Sequence, residues 1–118
     1  MNWKTTNFEF SFYDWAEFAK YLDSLPDDDA AKLTLTIEKI QEYGIDISMK
    51  MKWVKKLKSV DNLYEIRSAV HGNQQRAIYF KIVEDEYVIT HGFTKKSQKT
   101  PLKEIKKAKR RKNKYSNK

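Results

Sequence analysis

Residues 63–94 read LYEIRSAVHGNQQRAIYFKIVEDEYVITHGFT and contain three runs, 63–70, 76–83 and 87–94, rich in β-branched and aromatic side chains. Turn formers separate them, His71-Gly72-Asn73 after the first and the acidic Glu84-Asp85-Glu86 after the second. Strands joined by connections this short pair antiparallel, so the segment predicts a β-meander. Period-two alternation in 63–70 sends Tyr64 and Ile66 to one face and Glu65 and Arg67 to the other. An antiparallel neighbour opening at Arg76 brings a second guanidinium toward that charged face. Two planar forks side by side suit a phosphate, whose oxygens accept paired hydrogen bonds. The competing reading is a cross-strand Glu65–Arg salt bridge on a solvated face.

The rest of the chain completes the layers. Toward the N-terminus, Phe8, Phe10 and Phe12 recur at period two and predict a half-buried strand over 7–13. Trp15, Phe18, Leu22 and Leu25 then follow helical spacing from Asp14 to the stop at Pro26. Asp27, Asp28 and Asp29 suit the positive end of a second helix, on which Leu33, Ile37 and Ile40 share a face before Gly44 caps it. The connection is short enough to make an antiparallel helical hairpin that needs a sheet to pack on. Residues 54–59 read as a further short strand. Thr100-Pro101 starts a last helix, with Leu102, Ile105 and Ala108 on its narrow apolar face. The predicted class is α+β, with an N-terminal strand and helical hairpin packed on a small antiparallel sheet and a C-terminal helix.

At 118 residues the chain is one domain, residues 1–118, by the usual expectation of roughly 100–200 residues per domain. Residues 112–118 are expected to form a mobile basic tail. There is no cysteine, which excludes thiol catalysis, cysteine zinc sites and a disulfide framework. No metal-ligand spacing, calcium loop, Gly-rich phosphate loop or G-x-S-x-G elbow occurs, so neither metal nor cofactor is expected. No apolar run reaches the roughly 18 residues of a membrane span, and no leader pattern opens the chain; the expectation is a cytoplasmic protein without a membrane partner.

Charge is unevenly placed. Residues 1–46 have a balance of −6 and residues 47–118 one of +14, while 95–118 alone hold twelve Lys and Arg against one Glu. Such a distribution directs polyanions, nucleic acid first, to the second half of the chain. The run His91-Gly92-Phe93-Thr94-Lys95-Lys96 adds an imidazole, an aromatic ring and two ammoniums. These can carry a proton, stack on a base and neutralise charge on a phosphorane. Equally, His91 can be a hydrogen-bonded structural histidine and Phe93 a core side chain. His71 reads as a loop residue.

The ordered series Lys56-Leu57, Leu63-Tyr64-Glu65-Ile66-Arg67, Arg76-Ala77-Ile78-Tyr79-Phe80, the stretch from His91-Gly92-Phe93 to Thr100-Pro101, then Glu104-Ile105 and Ala108 closely resembles the phage-derived HigB-like branch of the RelE/ParE toxin superfamily. The likeness spans residues 8–110. It implies the RelE-like fold, with a concave sheet face for RNA opposite the hairpin. It also implies a ribosome-dependent endoribonuclease that, without metal, activates a 2′-hydroxyl of messenger RNA against the adjacent phosphate. In that scheme Arg67 and Arg76 bind phosphate, Lys95 and Lys96 offset phosphate or transition-state charge, His91 transfers a proton and Phe93 stacks on a base. Lys56, Lys58, Lys99 and Lys103 would hold RNA. Glu65 departs from the better-studied pattern, which has a basic residue there; it is either a general base or a group that orients Arg67 or Arg76. The resemblance further implies a helix-turn-helix antitoxin, with the toxin a monomer inside a larger complex. A ParE-like topoisomerase inhibitor and a non-catalytic basic nucleic-acid-binding module are the alternatives.

Overall fold

The computed structural model describes residues 7–116. Its elements in chain order are β1 (Ser11–Phe12), α1 (Trp15–Asp23), α2 (Asp27–Tyr43), α3 (Ile45–Lys50), β2 (Val54–Lys56), β3 (Tyr64–Val70), β4 (Asn73–Val83), β5 (Glu86–Lys95) and α4 (Leu102–Ser116). His71 and Gly72 both take positive φ, 49° and 85°. That is the geometry of a tight hairpin turn matched to the twist of paired strands, and it lets β4 begin at Asn73, earlier than the apolar pattern predicts. Asp85, at φ 61°, turns β4 into β5. The meander β2–β3–β4–β5 is antiparallel throughout, as predicted.

The N-terminal strand is shorter than expected. Only Ser11 and Phe12 pair, and they run parallel to Val88 and Ile89, so the five-stranded sheet, in order β1-β5-β4-β3-β2, is mixed. The backbone before them is taken by α2 instead: Asn7 N–H donates to the Gln41 carbonyl and Phe10 N–H to Gln41 Oε1. Phe8 and Phe10 are nonetheless buried, which preserves the inward half of the period-two pattern.

The helical hairpin forms as its spacing predicts. Asp14 caps α1 by accepting from Glu17 N–H, and Gly44, at φ 87°, ends α2. Their apolar faces, with Phe18, Leu33, Ile37 and Ile40, pack on Ile66, Ala77, Tyr79 and Ile89. Asp29, in the first turn of α2, is buried and accepts from Gln75 Nε2, while the Tyr21 hydroxyl of α1 donates to Gln75 Oε1. The opposite sheet face is covered by α4: Ile105, Ala108 and Tyr115 join Ile78, Phe80, Val88 and Phe93 in a second core. Of residues 112–118, expected to form a mobile basic tail, 112–116 continue α4. Tyr115 reaches Phe80, ring centroids 5.8 Å apart, and holds the last turn on the sheet; residues 117 and 118 lie outside the described residues. Among the described residues no helix is long and apolar enough to cross a membrane.

Gly92 sets how closely α1 approaches β5. A Cβ there would stand 2.4 Å from Tyr21 Cε2 and 3.0 Å from Phe18 Cε1. Because the Tyr21 hydroxyl is fixed on Gln75, its ring cannot swing aside without losing a hydrogen bond. Gly92→Ala should lower the unfolding free energy by about 1–3 kcal/mol, the usual cost of overpacking. Urea denaturation monitored by tryptophan fluorescence measures it; an unchanged midpoint would show that the helix has room to retreat.

Candidate functional site

Register places three rows of side chains on the face away from the hairpin. Lys55, Glu65, Ile78 and His91 are successive partners across β2 to β5; Arg67, Arg76 and Phe93 form the next row, and Ala69, Gln74 and Lys95 the last. α4 covers Ile78 and Phe93, so only the end of the face near the His71–Gly72 turn stays open. There Arg67, Asn73, Gln74, Arg76, Lys95 and Lys96 line an open cleft of about 630 Å³. Arg67, Arg76 and the Lys95-Lys96 pair, drawn from β3, β4 and the end of β5, thus share one rim.

The four cations are not equivalent. Arg76 is buried at 4% exposure. Its Nη1 donates to the carbonyls of Gln75 (3.0 Å) and Ser68 (3.3 Å), and its Nη2 donates to Gln74 Oε1. Its Nε has no hydrogen-bond partner but lies 3.5 Å from Glu65 Oε1, an ion pair rather than a hydrogen bond. Burial lowers the Arg76 pKa, and Glu65 opposes that shift. Glu65 is itself buried and accepts from the Thr100 hydroxyl just ahead of α4. The Glu65–arginine bridge weighed from sequence therefore exists, but it is buried and its partner is Arg76. Arg67, half-buried, and Lys95 and Lys96 face the cleft. The Lys95 ammonium is held below the ordinary lysine range, first by partial burial, with Glu65 opposing and Arg76, Arg67 and Lys55 adding repulsion.

His91 lies apart from the open surface. It is 3% exposed, with Nδ1 2.8 Å from Thr90 Oγ1 and Nε2 2.9 Å from Glu104 Oε1. An ionised carboxylate can only accept, so Nε2 carries the proton and Nδ1 accepts from Thr90. Burial pushes the imidazole pKa down to about 4, with the Glu104 hydrogen bond opposing. Both nitrogens are engaged, and the ring ties β5 to α4.

Other expected positions separate. Phe93 is buried in the core under α4, 5.8 Å from the His91 ring, and presents no free face for a base. Lys56 pairs with Tyr64 on the hairpin side of the sheet, its Nζ donating to the Val60 carbonyl. Lys58 is exposed between β2 and β3, and Lys99 and Lys103 are exposed before and at the start of α4, outside the cleft lining. Arg111, one of the twelve cations of residues 95–118, is a strut: it donates to both Glu17 oxygens (2.7 and 2.9 Å) and to the Thr90 carbonyl, and sits over the Tyr13 ring.

Sequence reasoning missed Lys55 and Gln74. Lys55 is the direct partner of Glu65, so pairing 54–59 with 63–70 in register would have found it. Gln74 faces Lys95 and braces Arg76, but its strand start is polar and carries no apolar signal.

The family model described as phage derived protein Gp49-like (DUF891) matches residues 20–113. No curated protein matches the chain significantly.

The state of His91 has a consequence for stability. Its pKa is lowered from 6.5 in the unfolded chain to about 4 in the fold. The unfolded state therefore binds more protons between those values, and stability falls as the pH drops through them. From pH 6.5 to 5, where ordinary carboxylates titrate little, unfolding free energy should fall by about 1–2 kcal/mol. His91→Gln should flatten that slope. Denaturation series at both pH values check the sign; a wild-type protein stabilised by acid in this window would mean His91 is charged in the fold.

Proposed function

The chain belongs to the phage-derived Gp49-like family, a RelE/HigB-like toxin family, and we propose that it is a toxin of the HigB-like branch that cuts messenger RNA on the ribosome. The observation that carries this reading is the convergence of Arg67, Arg76, Lys95 and Lys96 on one open, polar cleft. A strand of RNA laid along it would meet exposed cations in front of a buried guanidinium.

The chemistry proposed is attack of a 2′-hydroxyl on the adjacent phosphorus. The 2′-oxygen loses its proton, the P–O5′ bond breaks, the 5′-oxygen gains a proton, and the products are a 2′,3′-cyclic phosphate and a 5′-hydroxyl. Charge builds on the non-bridging oxygens in the transition state, where fixed cations act most strongly. Arg67 has the exposure to grip the phosphate, and Lys96 adds charge at the rim. Lys95, whose ammonium gives up its proton more readily than an ordinary lysine, is better suited than His91 to carry a proton. His91 and Glu65 become positioning residues: one holds α4 against β5, the other holds Arg76 behind the cleft. Lys99, Lys103 and the exposed Lys106, Lys109 and Arg110 of α4 would rest on ribosomal RNA. A helix-turn-helix antitoxin would neutralise the toxin, which is taken to be a single domain and a monomer within their complex.

Arg67→Ala with Lys95→Ala tests the reading. After brief induction in a bacterial host, wild type should arrest growth and leave codon-aligned breaks in primer extension of messenger RNA. The double variant should cut at least about 100-fold less, since one transition-state donor is commonly worth 10²–10³ in rate. Its melting temperature should remain near wild type because neither side chain belongs to a core. Arrest with intact transcripts would instead favour a topoisomerase inhibitor. Undiminished cleavage by a folded double variant would remove the cleft from the mechanism.

A further inference from the structure

The second large cleft, about 640 Å³, lies on the hairpin side of the sheet between α3 and the β4–β5 turn. Its floor is tyrosine. Tyr64 and Tyr79 stack with centroids 5.2 Å apart, and Tyr87 meets Tyr79 edge-on at 5.6 Å. Its rim holds the exposed carboxylates of Asp46, Glu84 and Asp85, with Lys81 the only cation among its lining residues. Lys81 Nζ is 3.9 Å from Glu84 Oε1, which leaves Asp46 and Asp85 as surplus negative charge. The cleft is thus opposite in sign to the cationic one, and Tyr79 faces the other side of the sheet from Arg76.

One group within it lacks a partner. Tyr79 is fully buried and lines the cleft, yet its hydroxyl makes no hydrogen bond. A buried hydroxyl left unpaired costs about 1–3 kcal/mol, so its persistence calls for an explanation. Tyr79 and Tyr87 are both held above the ordinary phenol range, first by burial, then at Tyr79 by the phenols of Tyr87 and Tyr64 and at Tyr87 by Asp85, Glu84 and Asp46.

We propose that this cleft receives an arginine side chain from a protein partner. A guanidinium presents five planar donors for the carboxylates of the rim and a flat cationic face that can rest on the tyrosine floor, whereas an ammonium offers three donors and no such face. A divalent cation fits less well: among the described residues no group of three or more carboxylates or histidines is close enough to hold one. A protein side chain is favoured over a free amine by the surroundings. Tyr43 and Ile47, 48% and 44% exposed, stand at the rim, apolar surface that a flanking peptide would cover. The proposal does not depend on the nuclease reading, because the two clefts lie on opposite faces.

The probe is the blocked tripeptide acetyl-Gly-Arg-Gly-amide, titrated into the ¹⁵N-labelled full chain and followed by NMR. Saturating shifts are expected at the amides of Asp46, Asp85 and Tyr87, with Gln74 and Lys95 unmoved. Replacing arginine by neutral citrulline should weaken binding at least tenfold, as should Asp46→Asn with Asp85→Asn. Both substitutions are at exposed positions, and asparagine tolerates the positive φ of residue 85. Absence of saturable shifts, equal binding of the citrulline peptide, or an unaffected double variant would overturn the proposal. So would free arginine binding more tightly than the tripeptide, which would assign the cleft to a small amine.

Discussion

A carboxylate and a guanidinium buried side by side hold the cationic cleft in place. Either charge alone at that depth would cost several kcal/mol, and Glu65 and Arg76 offset each other only because further groups complete their shells. Arg76 is fastened to two backbone carbonyls and to Gln74; Glu65 is fastened to Thr100. The pair therefore joins β3, β4 and the approach to α4 in one polar cluster. Arg67 and Lys95 are set by the same register, one opposite Arg76 and the other opposite Gln74. Since Glu65 offsets one buried cation, Lys55, Arg67 and Lys95 are left as a positive surplus in front of it. Partial burial first, and then repulsion from Arg76, Arg67 and Lys55, lowers the Lys95 pKa, and an anion would relieve the repulsion.

Two cores on opposite faces confine that surplus to one place. The hairpin closes one side of the sheet. The short apolar stripe of α4 closes most of the other, despite the dense charge of that helix. His91–Glu104 and Arg111–Glu17 anchor the helix at points about two turns apart, and both bonds use residues from regions that composition alone would call surface. The remaining lysines of α4 project outward. A field that looked diffuse in the sequence resolves into a cleft and a helix flank, with the carboxylates of Asp46, Glu84 and Asp85 on the far side.

Much of this was legible before any coordinates. The period-two runs and their turn residues marked three strands, the spacing of Phe18, Leu33, Ile37 and Ile40 marked the hairpin, and Thr100-Pro101 marked α4. The joint placement of Arg67 and Arg76 followed from alternation. What escaped depends on register or on distant partners. Lys55 and Lys56 are neighbours with opposite fates, and a shift of one residue decides which joins the site. The short α3 was unannounced because six residues give too little periodicity to read. The strand β1 is short because Gln41 of α2 takes the preceding backbone. His91 gave no sign of its state, since the carboxylate that engages it stands in a helix on the other side of a loop.

The division between buried and exposed cations explains why residue type matters at each. At residue 76 the side chain must serve two carbonyls, an amide oxygen and a carboxylate from a fixed plane, which a single ammonium cannot do. At residue 95 the opposite property is useful: a compact amine on a flexible stem responds to repulsion by shifting its proton affinity, which a guanidinium scarcely does. Placing the rigid group behind and the flexible amine in front gives a surface whose shape is set by Arg76 and whose charge is presented by Lys95. Such an arrangement supports the proposed reading, in which a phosphate diester binds there and extra charge forms on it. It also accounts for Glu65, which would be misplaced among exposed cations but is required beside a buried one.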